Sequence, residues 1–143
     1  RLLRIIGRKK AIIVTAGGKN IAPVPIEKDL EGGMCGQAIV VGSERRFLVA
    51  LLAADEEALE ALARDRGWDG DAADWAARPE VEQMLQTRVD TANERRPRFE
   101  QIKKWARLPE PLSVDAGTLT PTLKVRREAV ERVYAELLER LYA

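Results

Sequence analysis

The first hydrophobic positions of the chain predict a small β-ribbon. Residues 3–7 and 11–14 are short apolar stretches rich in β-branched side chains, and the basic residues 8–10 separate them. Such stretches favour strands that pair around the polar segment between them. We therefore expect a two-stranded ribbon near the N-terminus, with the basic residues at its connection.

Two longer apolar runs predict the main sheet. Residues 37–41 and 47–52 are apolar at nearly every position, and the polar segment 42–45 between them indicates a turn. Strands of this kind are buried on both faces, as in a sheet covered by helices. Residues 102–108 alternate loosely and predict a further strand.

The first predicted helix begins at Pro23 and Pro25. A first helical turn has no intrahelical partner for the N–H groups that proline lacks, so proline is well suited to this position. Glu27 is then expected near the positive end of the helix dipole.

Caps and three-to-four spacing predict the remaining helices. Asp55 caps a helix that should end near Gly67. A long helix starts at Pro79 and is interrupted by Pro97, whose ring removes a hydrogen bond. Its apolar face comprises Val81, Met84, Leu85, Val89 and Ala92. A last helix starts at about Val125, and its apolar face comprises Val130, Val133, Tyr134, Leu137, Leu138 and Leu141. The predicted fold class is α+β: a small, mainly antiparallel sheet covered by helices, with an N-terminal two-stranded ribbon and a C-terminal helix.

Length and charge narrow the possible functions. We expect residues 1–143 to form a single domain. Because the chain begins inside a predicted strand, we also expect it to be a fragment of a larger protein. A net charge of +1 gives no electrostatic case for nucleic acid or an anionic membrane. Aromatic residues are only 5% of the chain, which argues against a base-stacking platform. The longest apolar run, residues 47–54, is far shorter than the roughly 20 residues that cross a bilayer.

The chain contains no histidine, so the commonest general base and metal ligand is missing. Catalysis is left to lysine, arginine, aspartate or glutamate. Cys35 is the only cysteine, which excludes an internal disulfide and a thiolate zinc site and fits a reducing compartment. We interpret it as a strand residue rather than a nucleophile, because no histidine can activate it.

Two superficial motifs are rejected. The segment from Gly17 to Lys19 lacks the spacing of a phosphate-binding loop, since Ile13 stands where the earlier glycine is needed. The acidic group Asp69, Asp71 and Asp74 lacks the closing glutamate of a calcium loop. No metal ligand is predicted. For Gly17 and Gly18 two interpretations stay open: a turn, or a close approach of another molecule to the backbone.

The N-terminal stretch resembles a motif of the adenylate-forming, AMP-binding enzymes. The pattern G-R-x-[DK] matches residues 7–10, and G-x-x-I-x-P-x-x-I-E matches residues 18–27. In that family the motif joins a small C-terminal domain to a large N-terminal adenylation domain. The resemblance implies that Lys10 is the hinge residue, that Arg8 contacts the nucleotide, and that Gly17 and Gly18 line the path of coenzyme A.

A second stretch, T-P-T-L-K-V-R-R at residues 120–127, resembles the terminal catalytic-lysine motif of the same family. The resemblance implies that Lys124 enters the active site of the large domain during adenylation. Both motifs look most like the long-chain fatty acid CoA ligase branch. Two positions depart from the family pattern: Pro97 interrupts a helix that usually continues, and Thr118 replaces an acidic residue, which affects local loop contacts.

The resemblance implies the C-terminal lid domain of an ATP-dependent ligase that converts a fatty acid to its acyl-adenylate and then to the CoA thioester. ATP and Mg²⁺ would be bound mainly by the partner N-terminal domain, and CoA is the co-substrate. A cytoplasmic location is expected. Peripheral membrane contact would suit insoluble substrates, although no amphipathic anchor argues for it. The fragment alone is expected to be inactive.

Two alternatives stay open. A non-catalytic interaction module of the same fold would use the basic residues 8–10 and 126–127 to dock an acidic surface. Another acyl- or aryl-CoA ligase of the superfamily would carry the same motifs, because these residues do not encode substrate choice.

Overall fold

The computed structural model describes residues 12–109, 112–121 and 125–143. In chain order its elements are β1 (Ile13–Val14), β2 (Asn20–Ile21), α1 (Pro23–Leu30), β3 (Cys35–Val41), β4 (Leu48–Ala54), α2 (Glu56–Arg66), α3 (Ala72–Ala76), α4 (Pro79–Glu94), a 3-10 turn (Arg98–Glu100), β5 (Ile102–Arg107), α5 (Arg127–Val133) and α6 (Ala135–Tyr142).

The main sheet has the order β3-β4-β5. Strands β3 and β4 are antiparallel, with Ile39 opposite Leu51, and β5 lies parallel to β4, with Ala106 opposite Leu51. Helices α2, α3 and α4 form the crossover between the two parallel strands. The predicted α+β class is confirmed.

Both faces of the sheet are buried, as the apolar runs predict. Along β4, Leu48, Ala50 and Leu52 pack into a core with residues of α1, α2 and α4. The alternate residues Val49 and Leu51 pack into a second core with residues of α5 and α6. Side chains of a strand alternate between faces, so a strand between two helical layers needs apolar residues at every position.

The cap signals position the helices correctly. The Asp55 side chain accepts a hydrogen bond from the Ala58 N–H at 3.0 Å, and Gly67 ends α2 with a φ of 68°. Helix α4 starts at Pro79 and ends before Pro97. Its predicted core face is wrong at one position, because Met84 is 37% exposed in a groove beside α2.

The described ribbon contains a strand, β2, that the sequence does not predict. Strand β1 pairs antiparallel with β2, and Ile13 lies opposite Ile21. The predicted partner, residues 3–7, lies outside the described residues. A strand of two residues carries no alternation, so the pattern does not reveal β2.

The predicted C-terminal helix is wrong in its continuity. Two helices, α5 and α6, meet at Tyr134, whose φ of −107° and ψ of 27° leave the helical region. Val130 of α5 and Leu138 of α6 still pack into one core, as predicted, whereas Val133 is 51% exposed. The first of the two helices begins two residues after the predicted start at about Val125, which forms a β-bridge instead.

Candidate functional site

The first motif forms the turn of the ribbon. The Thr15 carbonyl accepts the Gly18 N–H at 2.9 Å, and the Thr15 hydroxyl accepts the Lys19 N–H at 3.1 Å. Gly18 has a φ of 83°, which residues with side chains rarely adopt. Apart from its two chain neighbours, no described residue has a heavy atom within 4 Å of the position a Gly18 Cβ would take. The geometry accounts for Gly18 as a turn residue and leaves its outer side open.

The ribbon is fixed to the tip of the β3–β4 hairpin. The Glu44 N–H donates to the Val14 carbonyl at 2.8 Å, and the Ala16 N–H donates to the Arg45 carbonyl at 2.9 Å. Glu44 has a positive φ of 60°, so the hairpin tip adopts an uncommon conformation where it meets the ribbon. The ribbon is thereby attached to the sheet through backbone hydrogen bonds.

The second motif begins with a tightly bonded turn. Thr118 is 1% exposed; its hydroxyl donates to the Ser113 carbonyl at 3.1 Å and accepts the Ser113 N–H at 2.9 Å. A buried acidic side chain at this position would need a partner for its charge. Thr118, which departs from the family pattern, carries no charge, and its hydroxyl forms both of these hydrogen bonds with Ser113.

Backbone hydrogen bonds join the residues on the two sides of the segment that follows, which carries Lys124. Leu119 and Val125 form an antiparallel bridge, and the Arg126 N–H donates to the Thr118 carbonyl at 2.9 Å. Helix α5 starts at the next residue, Arg127. The segment that carries Lys124 is thus bounded on both sides by backbone hydrogen bonds.

The two motifs meet in an ion pair between Glu27 and Arg127. One guanidinium nitrogen of Arg127, Nη2, donates to Glu27 Oε1 at 3.1 Å, and the other, Nη1, donates to Glu27 Oε2 and to the Val40 carbonyl, the latter at 2.9 Å. The Val40 N–H donates to Glu27 Oε2 at 2.8 Å. The side chains of Glu27 and Arg127 are only 12% and 21% exposed.

This pair corrects two expectations. Glu27 does not stand in the first turn of α1, which contains no acidic residue, so the helix dipole does not explain it. Arg127 is bound to Glu27 and is half-buried, which removes it from the exposed basic edge considered for an interaction module.

The structure describes only part of the predicted site. Gly17 and Gly18 lie in the ribbon turn, whereas Arg8, Lys10 and Lys124 lie outside the described residues. Within the described residues, the Glu27–Arg127 pair brings the ends of both motifs together. Sequence reasoning missed it, because Glu27 is followed by Lys28 and Asp29, and Arg127 lies between Arg126 and Glu128, so neither residue stands out locally.

The described residues offer no activated nucleophile at Cys35. Burial raises the pKa of the Cys35 thiol to about 12. The thiol is protonated at neutral pH and inert. In the same residues, no three His, Cys, Asp or Glu side chains come together as a metal site. Asp71 and Asp74 instead form a reciprocal cap at the start of α3.

Residues 10–143 match the protein family described as the AMP-binding enzyme C-terminal domain. The chain belongs to this family. The match includes Lys10, residues 18–27 and the whole second motif, but not residues 7–9, and it confirms the resemblance to adenylate-forming enzymes. Within the described part of the chain, no helix has the length and apolar character needed to cross a membrane.

Curated relatives of this AMP-binding C-terminal domain include long-chain fatty acid CoA ligases. The chain is 39% identical to long-chain-fatty-acid–CoA ligase FadD15 of Mycobacterium tuberculosis, over 98% of the chain and 24% of that protein. It is 33% identical to the human long-chain-fatty-acid–CoA ligase 1, over 99% of the chain and 21% of that protein. The chain therefore spans about a quarter of the length of these relatives or less.

Solved structures share the fold. The adenylation domain of the carboxylate reductase from Mycobacterium chelonae superimposes with a TM-score of 0.69 at 24% identity, over 92% of this chain and 19% of that one. The Mycobacterium tuberculosis fatty acyl CoA synthetase gives a TM-score of 0.54 at 16% identity, over 88% of this chain and 20% of that one. In both, the matching part is a minor fraction of a larger chain.

Proposed function

We propose that this chain is the C-terminal lid domain of a longer, AMP-forming, ATP-dependent long-chain fatty acid CoA ligase, and that Lys124 is its adenylation lysine. The observation that carries the proposal is the family match over residues 10–143, with both motifs present in order. The names of the curated relatives support the substrate class. Activation of another acyl or aryl acid is the alternative within the same chemistry.

The first reaction explains the need for a lysine. The carboxylate of the fatty acid attacks the α-phosphate of ATP, a phosphate–oxygen bond breaks, and pyrophosphate leaves. Two anions must approach each other, and a cationic side chain offsets their repulsion and the charge of the transition state. Lys124 supplies this charge on a long, flexible side chain.

The second reaction uses another edge of the domain. The thiol of coenzyme A attacks the carbonyl of the acyl-adenylate, the thioester bond forms, and AMP leaves. Gly17 and Gly18 line the path of the pantetheine arm. The geometry at Gly18 supports this role, because no side chain of the described residues lies within 4 Å of the position its Cβ would take. Reorientation about Lys10, the hinge residue, presents the two edges in turn.

Arg8 contacts the nucleotide in this proposal, and its fixed fork of donors suits a ribose or a phosphate. ATP and Mg²⁺ are held mainly by the N-terminal adenylation domain, which is the partner of this chain. The described residues provide no cluster of metal ligands, so we derive no step through Mg²⁺. The isolated chain is accordingly expected to show no ligase turnover and weak or no ATP binding.

The test compares two reactions of the full-length protein that carries Lys124→Ala. The first is the fatty-acid-dependent exchange of pyrophosphate into ATP, which requires adenylation. The second is thioester formation from pre-made acyl-adenylate and CoA, which does not. Lys28→Ala is the matched control, since Lys28 is an exposed lysine in the last turn of α1.

We expect Lys124→Ala to lower exchange by about 10²-fold or more, the usual cost of losing a preorganised electrostatic group. Thioester formation should remain close to that of the control. If exchange in Lys124→Ala equals that in Lys28→Ala, Lys124 is a surface lysine and the proposed role is wrong. Thioester formation by the isolated chain would contradict the expected inactivity.

A further inference from the structure

The loop that carries Lys124 is attached to the domain by its two ends. On the N-terminal side, Thr118 and Leu119 are held by hydrogen bonds to Ser113. On the C-terminal side, the Arg126 N–H donates to the Thr118 carbonyl, and Arg127 then starts α5. The position of the loop relative to the rest of the domain depends on what holds these ends.

Arg127 provides a bond of defined geometry. Its two terminal nitrogens contact the two carboxylate oxygens of Glu27, one each, and Nη1 also reaches the Val40 carbonyl at 2.9 Å. A planar guanidinium that meets a carboxylate with two parallel bonds fixes orientation as well as distance. The carboxylate is itself fixed by the Val40 N–H at 2.8 Å. Arg127 therefore has one well-defined place against α1 and β3.

This bond lies close to Lys124 along the chain. Lys124 precedes Arg127 by three residues, which reach at most about 10 Å when extended. Anchoring Arg127 thus restricts where the backbone of residue 124 can lie. A lysine side chain is long and flexible, so restricting its backbone lowers the entropy lost when its ammonium group is placed in an active site.

We infer that Arg127 is a positioning residue for adenylation: its paired bonds to Glu27 fix the C-terminal end of the Lys124 loop, and this restriction favours the placement that Lys124 needs. This inference rests on the proposed function of Lys124. Arg127 itself touches no substrate in this account, and it acts through the placement of the loop.

The test uses the full-length protein and the two reactions described above. Arg127→Gln removes the charge and the fork, Arg127→Lys keeps the charge without the fork, and Glu27→Gln is the milder change at the partner. Arg132→Gln is the matched control, because Arg132 is an exposed arginine on the same helix. The combined variant Lys124→Ala with Arg127→Gln tests whether the two residues act together. Urea unfolding confirms that each variant is folded under assay conditions.

We expect Arg127→Gln to lower pyrophosphate exchange by about 10²-fold, as for a misplacement of about 1 Å, and to leave thioester formation near that of Arg132→Gln. Arg127→Lys and Glu27→Gln should lose less. The combined variant should exchange no more slowly than Lys124→Ala alone, because a lysine that is absent cannot be misplaced.

Three results would overturn the inference. Equal losses in both reactions mean that Arg127 has only a structural role, and exchange equal to that of Arg132→Gln means that the pair does not position the loop. Losses that add fully in the combined variant mean that the two residues act independently. If Lys124→Ala itself leaves exchange intact, the proposed function fails and the inference fails with it, which distinguishes that case from the others.

Discussion

Replacing Glu27 with alanine should destabilise the domain far more than removing an exposed acid. The change deletes both contacts with the Arg127 guanidinium and the acceptor of the Val40 N–H. It leaves the Arg127 charge in a site where that side chain is only 21% exposed. An uncompensated charge and an unpaired amide are the costly products of breaking such a pair.

The expected loss is about 3 kcal/mol, the lower end of the range for breaking a buried ion pair, because some water still reaches both side chains. With a urea m-value of about 2 kcal/mol per molar, the unfolding midpoint should fall by about 1.5 M. The matched control is Asp29→Ala, because Asp29 lies on the same helix as Glu27 and forms an ion pair with Arg96. Asp29 is 45% exposed, and Arg96, although its own side chain is only 14% exposed, keeps its ion pair with Glu100 and its bond to the Pro25 carbonyl. The control should lose no more than about 1 kcal/mol.

Urea unfolding of both variants, followed by circular dichroism, measures the difference. A double variant, Glu27→Ala with Arg127→Met, tests the physical reason, because it removes the uncompensated charge together with its partner. Its loss should be smaller than the sum of the two single losses. Equal midpoints for Glu27→Ala and Asp29→Ala, or full additivity in the double variant, would refute the reasoning.

Two further predictions concern buried titratable side chains. Burial raises the pKa of Tyr142 to about 12. The protonated phenol therefore contributes to the free energy of unfolding. This contribution is complete below the ordinary tyrosine pKa of about 10 and is lost as the pH rises to about 12. Absorbance titration should show a tyrosine transition near 12 that disappears in Tyr142→Phe, and a wild-type titration complete near pH 10 would contradict this. Cys35 is 1% exposed with a raised pKa, so its alkylation at pH 8 should be slow in the native protein and should accelerate only with unfolding in urea. Fast alkylation of the native protein would contradict the description of Cys35 as a buried, protonated thiol.

Local signals were sufficient for the parts of the fold whose causes are local. Pro23, Asp55 and Pro79 each mark a helix start, because proline geometry and a capping carboxylate act within one turn. The apolar run of β4 predicts burial on both faces, because no position in it could face water without cost.

Features that depend on distant partners could not be predicted in this way. The ribbon strand β2 has two residues, and only its pairing with β1 defines it. The break at Tyr134 has no signal in the sequence, because the apolar positions around it continue in helical spacing. Met84 fits the apolar face of α4 by spacing but lies at its edge, where the neighbouring helix does not cover it.

The same contrast holds for the site. The two motifs are recognisable one at a time, because each is a contiguous stretch. Their junction is not, since Glu27 and Arg127 are 100 residues apart and each has an unremarkable neighbourhood in sequence. The charge of each residue is visible in the sequence, whereas the partner that compensates it is a property of the fold.

The ion pair between Glu27 and Arg127 also satisfies backbone groups at the edge of the sheet. Among the described strands, β3 lies at the edge of the sheet, so the backbone groups on its outer side have no described strand to pair with. Unpaired edge groups invite association with another chain. At Val40 the carboxylate of Glu27 takes the N–H and the guanidinium of Arg127 takes the carbonyl. Each charged group thereby satisfies one backbone group and its opposite charge at once. The bonds that satisfy the edge at Val40 are consequently the same bonds that join the two motifs. A substitution of Glu27 or Arg127 should therefore disturb the sheet edge and the junction of the motifs together.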